Sequence, residues 1–173
     1  MTDKEKAPIE IERKFLIRFP DVEVLQKQEG VRIKKMRQTY LRADNGITAR
    51  VRAVTENGKT RYVHTEKSRI SDLAAIERER EVSEPEYQKL MKNADPERKT
   101  IEKTRYAVPF GDHVAEIDLY PFWNDRAVLE IELADEDEQC PIPPYVAVIK
   151  EVTDDKRYKN VNLAKEIIAE ELE

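Results

Sequence analysis

The chain has 173 residues, with 36 acidic and 31 basic side chains and a net charge of −5. That length is enough for one domain with a substantial core, and the acidic balance gives no electrostatic reason to expect nucleic acid as a partner. No apolar run approaches membrane-spanning length, the start MTDKEKAP lacks the apolar core of a signal peptide, and a lone Cys140 forms no internal disulfide, so a single cytoplasmic domain over 1–173 is expected, with no membrane partner.

The first predicted element is IEIERKFLI, Ile9 to Ile17. Successive side chains of a strand point to opposite faces, so Ile9, Ile11, Phe15 and Ile17 share one face with Arg13, while Glu10, Glu12 and Lys14 share the other. PDVEVLQKQEG then reads as a short helix or loop ending at Gly30. Ile33–Ala43, Ile47–Thr55 and Lys59–Lys67 are strand-like and are separated by Asn45-Gly46 and Asn57-Gly58, which makes a meander of hairpins. Ala75–Ser83 is a fifth strand, although its ERERE at 77–81 is also compatible with a helix. SEPEYQKLMKNA has an N-cap at Ser83 and apolar Tyr87, Leu90 and Met91 at helical spacing. Lys99–Phe110, His113–Tyr120 and Ala127–Ala134 are further strands, the first pair joined by Gly111-Asp112. PIPPY breaks the pattern, and Asn162–Leu172 reads as a terminal amphipathic helix with Leu163, Ile167 and Ile168 on one side. About eight antiparallel strands with a few covering helices make a mainly β domain.

Several chemistries drop out at this stage. Two histidines and one cysteine exclude the usual zinc ligand sets, and His64 and His113 read as ordinary strand residues. A metal would be a hard cation held by carboxylates, hence Mg²⁺ or Mn²⁺. NGKT at 57–60 is no phosphate loop, because Ala53 stands where that motif needs glycine. Tyr106, Phe110, Tyr120, Phe122 and Trp123 read as core or outer-face residues rather than a base-stacking surface.

The polar faces are sorted by sign. Arg50 with Arg52, and Lys103 with Arg105, form basic faces; Glu77, Glu79 and Glu81, Glu116 with Asp118, and Glu130 with Glu132 form acidic ones. Carboxylates about 6 Å apart at an effective dielectric of about 20 repel by roughly 3 kcal/mol. Acidic walls therefore call for cations and basic walls for an anion. A closed barrel holding a metal-bound polyanion satisfies both demands; a sheet with its charged face in water has the same alternation, and the pattern alone leaves both open.

These residues resemble the CYTH proteins, the triphosphate tunnel metalloenzymes. Glu10, Glu12 and Lys14 match the N-terminal E-x-E-x-K signature. RQTYL at 37–41, RVR at 50–52, Lys67, ERERE at 77–81, IEKTRY at 101–106, EID at 116–118, LEIEL at 129–133 and EVTDDKRYKNVNLA at 151–164 follow in similar order. The resemblance implies a closed eight-stranded antiparallel barrel, open at both ends, that binds a triphosphate-containing small molecule. It implies phosphate contacts from Arg50, Arg52, Lys67, Lys103, Arg105 and Arg157, and metal ligation by Glu10, Glu12, Glu77, Glu79, Asp118, Glu130 and Glu132, with Glu116 near the same wall. Lys14 or Glu12 would orient or deprotonate the attacking water. The implied activity is Mg²⁺- or Mn²⁺-dependent hydrolysis of the terminal phosphate of inorganic triphosphate or a small organic triphosphate; a class IV-type adenylate cyclase, a thiamine triphosphatase and a non-catalytic polyphosphate- or nucleotide-binding domain are the alternatives. A homodimer is compatible with this reading. Ala75 departs from the pattern, since relatives often carry arginine there.

Overall fold

The structure, a computed structural model, describes residues 9–44 and 46–172. In chain order the described elements are β1 (Ile9–Arg18), α1 (Val22–Gln26), β2 (Arg32–Leu41), β3 (Ile47–Glu56), β4 (Lys59–Arg69), β5 (Ala74–Val82), α2 (Glu84–Met91), β6 (Ile101–Phe110), β7 (His113–Leu119), β8 (Arg126–Glu132), β9 (Val148–Glu151) and, after a 3-10 turn at Lys156–Tyr158, α3 (Asn160–Leu163). The segment ERERE is strand throughout.

The strand order is β5-β4-β3-β2-β6-β7-β8-β1-β9, and β5 also pairs with β1. Eight strands thus close into an antiparallel barrel. The closing edge of β1 is shared. Its start pairs with β5 over Ile9–Ile11, and its end pairs with β9 over Phe15–Ile17. Between the two, Glu12 N–H donates to the Leu73 carbonyl, and Lys14 N–H donates to Thr153 Oγ1 at 3.0 Å. β9 escaped the sequence reading because it has only four residues, VIKE, without an alternation long enough to read.

The hairpins form where the sequence placed them. Asn57 and Gly58 both have positive φ, 51° and 77°, as the tight turn matching strand twist requires. Asn45, the first residue of the other expected hairpin turn, lies outside the described residues. Asp21 and Ser83 cap α1 and α2 by accepting backbone N–H groups of Glu23 and Glu86.

Apolar faces point outward and are covered. Phe15, Ile17, Tyr106, Val108, Ile117, Leu129 and Ile131 pack under Leu25 of α1 and under Ile142, Tyr145 and Val146 of the loop before β9. Val51, Leu41 and Val82 pack under Tyr87 and Leu90 of α2. A further cluster lies at one end of the barrel, where Leu16, Tyr40, Ile101, Tyr120 and Val128 meet Trp123, Tyr158 and Leu163. Phe122 and Trp123 sit against Tyr120 at ring distances of 5.0 and 5.4 Å, a packed corner rather than a base-stacking face. No helix among the described residues is long and apolar enough to cross a membrane.

The expected terminal helix over Asn162–Leu172 does not form; helix stops at Leu163. The backbone beyond is drawn into tertiary bonds instead. The Ala164 carbonyl accepts from Lys99 N–H at 2.8 Å, and the Ile168 carbonyl accepts from Trp123 Nε1 at 3.1 Å. Ile168 and Leu172 pack on the end cluster while Ile167 is exposed.

Leu16 is wholly buried in that end cluster. Leu16→Ala is expected to destabilise the protein by about 2–5 kcal/mol, read as a lower urea midpoint with unchanged m-value.

Candidate functional site

The barrel encloses a cavity of about 450 Å³ lined by Glu10, Glu12, Lys14, Arg50, Arg52, Lys67, Glu77, Glu79, Arg105, Glu116 and Glu130, among others. Strand alternation brings these side chains in, and the closed register sets acids from β1, β5, β7 and β8 against bases from β3, β4 and β6. The end cluster fills one end on the side of β1, β2, β6 and β8. The lining continues past it along β3 and β4, through Thr48 and Arg69, to Lys156, Lys159 and Asn162.

On the basic side, Arg52 is 8% exposed, and its Nε donates to Gln38 Oε1 at 2.9 Å. Gln38 is fully buried and in turn donates to Tyr40 Oη at 3.2 Å. Among the described residues no carboxylate lies within ion-pair distance of Arg52. Burial, with Arg50 and Arg105 nearby, lowers its pKa to about 10. Among the described residues Arg50's ion-pair partner is Glu77, at 4.0 Å; Tyr40 also lies close to its guanidinium, and its buried Nε has no hydrogen-bond partner. Two guanidinium groups therefore sit inside the barrel with donors to spare.

On the acidic side, one ammonium group serves several carboxylates. Lys67 Nζ lies 2.9 Å from Glu10, 3.6 Å from Glu77 and 3.9 Å from Glu12. That single cation does not balance the wall. Burial, then Glu130, push Glu12 up to about 8, and burial also raises Glu10 and Glu132. The donors are oxygens only and suit a hard divalent cation. Among the described residues no three acids stand close enough to form a ready-made metal cage; the carboxylates are instead spread around the wider ammonium.

Asp118, read as a metal ligand from the resemblance, is placed otherwise. It is fully buried with both oxygens taken: Oδ1 accepts from Arg105 Nε at 2.8 Å, and Oδ2 accepts from Lys103 at 2.8 Å and Arg105 Nη2 at 2.9 Å. Burial opposes its charge, but Arg105 and Lys103 hold its pKa down at about 2. Asp118 is thus the counter-ion that fixes the two bases. Arg105 also bonds Glu116 at 2.8 Å and approaches Glu130 at 3.9 Å. Lys14 pairs with Glu130 at 3.2 Å and donates to the Tyr158 carbonyl at 3.4 Å.

Three other expected residues lie toward the edges. Glu79 is exposed at a mouth and accepts from Thr65 at 3.3 Å. Glu132 stands opposite Glu12 across the strand pair, but is exposed and outside the cavity lining. Arg157 is not brought to the cavity at all. Its side chain is 58% exposed and bonds Asp155 and Glu170, because the 3-10 turn sends Tyr158 inward and leaves Arg157 outside. Its neighbours Lys156 and Lys159 line the cavity instead. Their offset of three residues in an otherwise strand-patterned sequence was the signal for a turn.

Opposite Ala75 in the β4–β5 register stands Arg69. Directly paired residues share a face, so Arg69 brings a guanidinium to the side of the barrel on which Ala75 lacks one.

No protein-family model matches the chain. The inorganic triphosphatase of Nitrosomonas europaea is 33% identical over 162 residues, which is 91% of this chain and 98% of that protein. A crystal structure of an inorganic triphosphatase matches with 32% identity and a TM-score of 0.56, over 91% of this chain and 95% of the other. A structure of the PH1819 protein from Pyrococcus horikoshii shares the fold, with a TM-score of 0.59 at 19% identity over 74% of this chain and 80% of that one. An acid wall facing spare guanidinium groups in a closed barrel accompanies this near full-length likeness, and the chain belongs to the family of the Nitrosomonas europaea inorganic triphosphatase.

Proposed function

We propose that the cavity binds inorganic triphosphate and that the protein hydrolyses it at the terminal phosphate, with Mg²⁺ or Mn²⁺ as cofactor. The observation that carries this reading is the pair of arginines turned into the barrel. Among the described residues Arg52 has Gln38 as its hydrogen-bond partner and no ion pair, and Arg50 has an orphaned Nε. Guanidinium groups held this way have paid their desolvation before any ligand arrives and suit bidentate contact with phosphate oxygens. The full-length relative named for triphosphate hydrolysis points the same way.

Within this reading Arg50 and Arg52 bind phosphate oxygens, and the Asp118-fixed pair Lys103 and Arg105 supplies a rigid positive field along the same wall. Glu10, Glu12 and Glu77 would hold the metal, because they already converge on one cation, the Lys67 ammonium. When bound, the metal supplies charge neutralisation at the terminal phosphoryl group and activation of water. Lys67 would then be free to meet phosphate. Lys14, held by Glu130 and the Tyr158 carbonyl, positions the nucleophile rather than acting as base. Glu12, raised to about 8, keeps its proton at neutral pH and would have to give it up before ligating a cation.

The direct test is a panel of triphosphate, ATP, thiamine triphosphate and pyrophosphate with Mg²⁺ or Mn²⁺, assayed for phosphate, pyrophosphate and cyclic AMP. Phosphate release from triphosphate is expected, abolished by EDTA. Cyclic AMP as the sole product, or turnover undiminished after metal stripping, would overturn the reading. Arg52→Ala should raise KM for triphosphate about tenfold or more, since a charge-assisted contact is worth roughly 1.5–3 kcal/mol. Glu12→Gln should raise the Mg²⁺ concentration needed for half-maximal activity.

Glu12 also makes a pH-dependent contribution to stability. Its folded pKa of about 8 lies above its ordinary value of 4.5, so the folded state holds the extra proton between them. This group's contribution falls as pH rises through that window. In EDTA, Glu12→Gln should therefore melt above wild type by a margin that widens from pH 5 to pH 8, measured by circular dichroism.

A further inference from the structure

The central bases of the barrel differ in what stands opposite them. In the strand registers Lys14 faces Glu130, Lys67 faces Glu77 and Arg105 faces Asp118. Directly paired residues share a face, so each of these cations meets a carboxylate across its ladder. The two guanidinium groups of β3 do not. Arg52 stands between Gln38 of β2 and Val63 of β4, and Arg50 stands between Tyr40 of β2 and Thr65 of β4. All four of these directly paired neighbours are neutral; the acid that approaches, Glu77, reaches Arg50 from β5 at 4.0 Å.

Gln38 is fitted to this arrangement. It is fully buried, so its amide depends on protein partners for both of its ends. A guanidinium only donates, so the carbonyl end of the amide is the one that meets Arg52, with Oε1 accepting from Nε at 2.9 Å. The Nε2 end is thereby turned to Tyr40, whose Oη accepts at 3.2 Å. The Tyr40 ring is packed in the end cluster, and its hydroxyl lies close to the Arg50 guanidinium. One amide thus ties both guanidinium groups of β3 to a packed tyrosine. The nitrogen Arg52 spends on the amide is Nε, which leaves its two Nη groups for a bidentate contact with an anion. Burial and then Arg50 and Arg105 lower the Arg52 pKa to about 10, with Asp118 only partly offsetting them. A glutamate has the length and shape of Gln38, but its charge would pair with Arg52 and compete with any anion there.

From this register we infer that Gln38 is a positioning residue for the substrate: its amide fixes Arg52 directly and Arg50 through Tyr40, and its neutrality leaves the charge of both guanidinium groups for phosphate. The inference rests on Arg50 and Arg52 being groups that bind triphosphate.

The test uses the full chain, with triphosphate hydrolysis in Mg²⁺ and thermal melting in EDTA as its two readouts. Gln38→Glu changes the charge and little else. It is expected to melt no lower than wild type, because the new carboxylate meets Arg52, and yet to raise KM for triphosphate about tenfold with kcat within about threefold. Gln38→Met removes the acceptor at nearly constant volume, and is expected to melt lower and to raise KM about threefold or more. A role confined to packing would disturb KM only where the melt is disturbed. Tyr40→Phe is expected to raise KM about threefold, and the double variant Gln38→Met/Tyr40→Phe to cost no more than Gln38→Met alone, as two links of one relay do. Losses that multiply in the double variant overturn the tie through Tyr40. A Gln38→Glu enzyme whose KM stays within about twofold of wild type overturns the inference. So does a rise in KM accompanied by a lower melt in Gln38→Glu, since packing then suffices. Absence of triphosphate turnover in wild type overturns the reading of the barrel and this inference with it, whereas wild-type turnover with an unchanged Gln38→Glu overturns the inference alone.

Discussion

Glutamates face glutamates across neighbouring strands: Glu12 lies opposite Glu132, and Glu116 opposite Glu130. Like charges directly opposed destabilise a sheet, and closing the sheet into a barrel adds desolvation to repulsion. Everything else in the interior answers that constraint. Lys67 spans Glu10, Glu12 and Glu77, Lys14 takes Glu130, and Arg105 binds Glu116. Even so, burial leaves Glu12 with a carboxyl that prefers to keep its proton at neutral pH. The acidic wall is short of positive charge by construction, and the basic wall opposite is short of negative charge. A polyanion accompanied by a divalent cation, as proposed above, would relieve both at once and so tie the stability of the interior to its ligand.

Asp118 gives the second half of that logic. Its ion pairs with Lys103 and Arg105 are the most buried in the molecule's interior network, with Lys103 only 3% exposed. Such a triad costs desolvation, and its return is geometric: Arg105 is held by two of its nitrogens to one carboxylate, so its remaining donors keep their aim. Fixed dipoles and charges of this kind need not reorganise when phosphate arrives. Gln38 does the same for Arg52 without a charge, which leaves that guanidinium's full charge available. The contrast between a neutral and an ionised partner separates Arg105, whose charge is spent on Asp118, from Arg52, whose charge is not.

The closed barrel and most of the charged side chains lining its cavity were legible because strand alternation is a strict period, and because the sorting of signs along Arg50–Arg52, Glu77–Glu79 and Glu130–Glu132 survives any small error in strand ends. What escaped lies where that period stops. β9 is four residues long, and the chain after Leu163 is held by tertiary bonds to Lys99 and Trp123 that no local pattern encodes. Arg157 was placed in the site by likeness of motif, but a 3-10 turn rotates one side chain in three inward, and Tyr158 took that place. The role of Asp118 was hidden for another reason. A face containing Glu116 and Asp118 gives no hint of which carboxylate the bases will claim, because that depends on the register between β6 and β7, where Arg105 stands directly opposite Asp118.

The shared edge of β1 sets where the barrel can yield. β1 and β5 are paired over only Ile9–Ile11, whereas β3 and β4 are paired from Ile47 to Glu56. A ladder this short has few bonds to lose, so the seam opens more readily than the β3–β4 hairpin. Glu10 and Glu12 lie on one side of it and Glu77 on the other, with Lys67 joined to both. The seam is thus clasped across its inner side by the same charges that would meet the metal. Occupying the site would tighten the seam, and amide exchange at Ile9–Ile11 and Ala74–Ile76 would slow far more than in the β3–β4 hairpin.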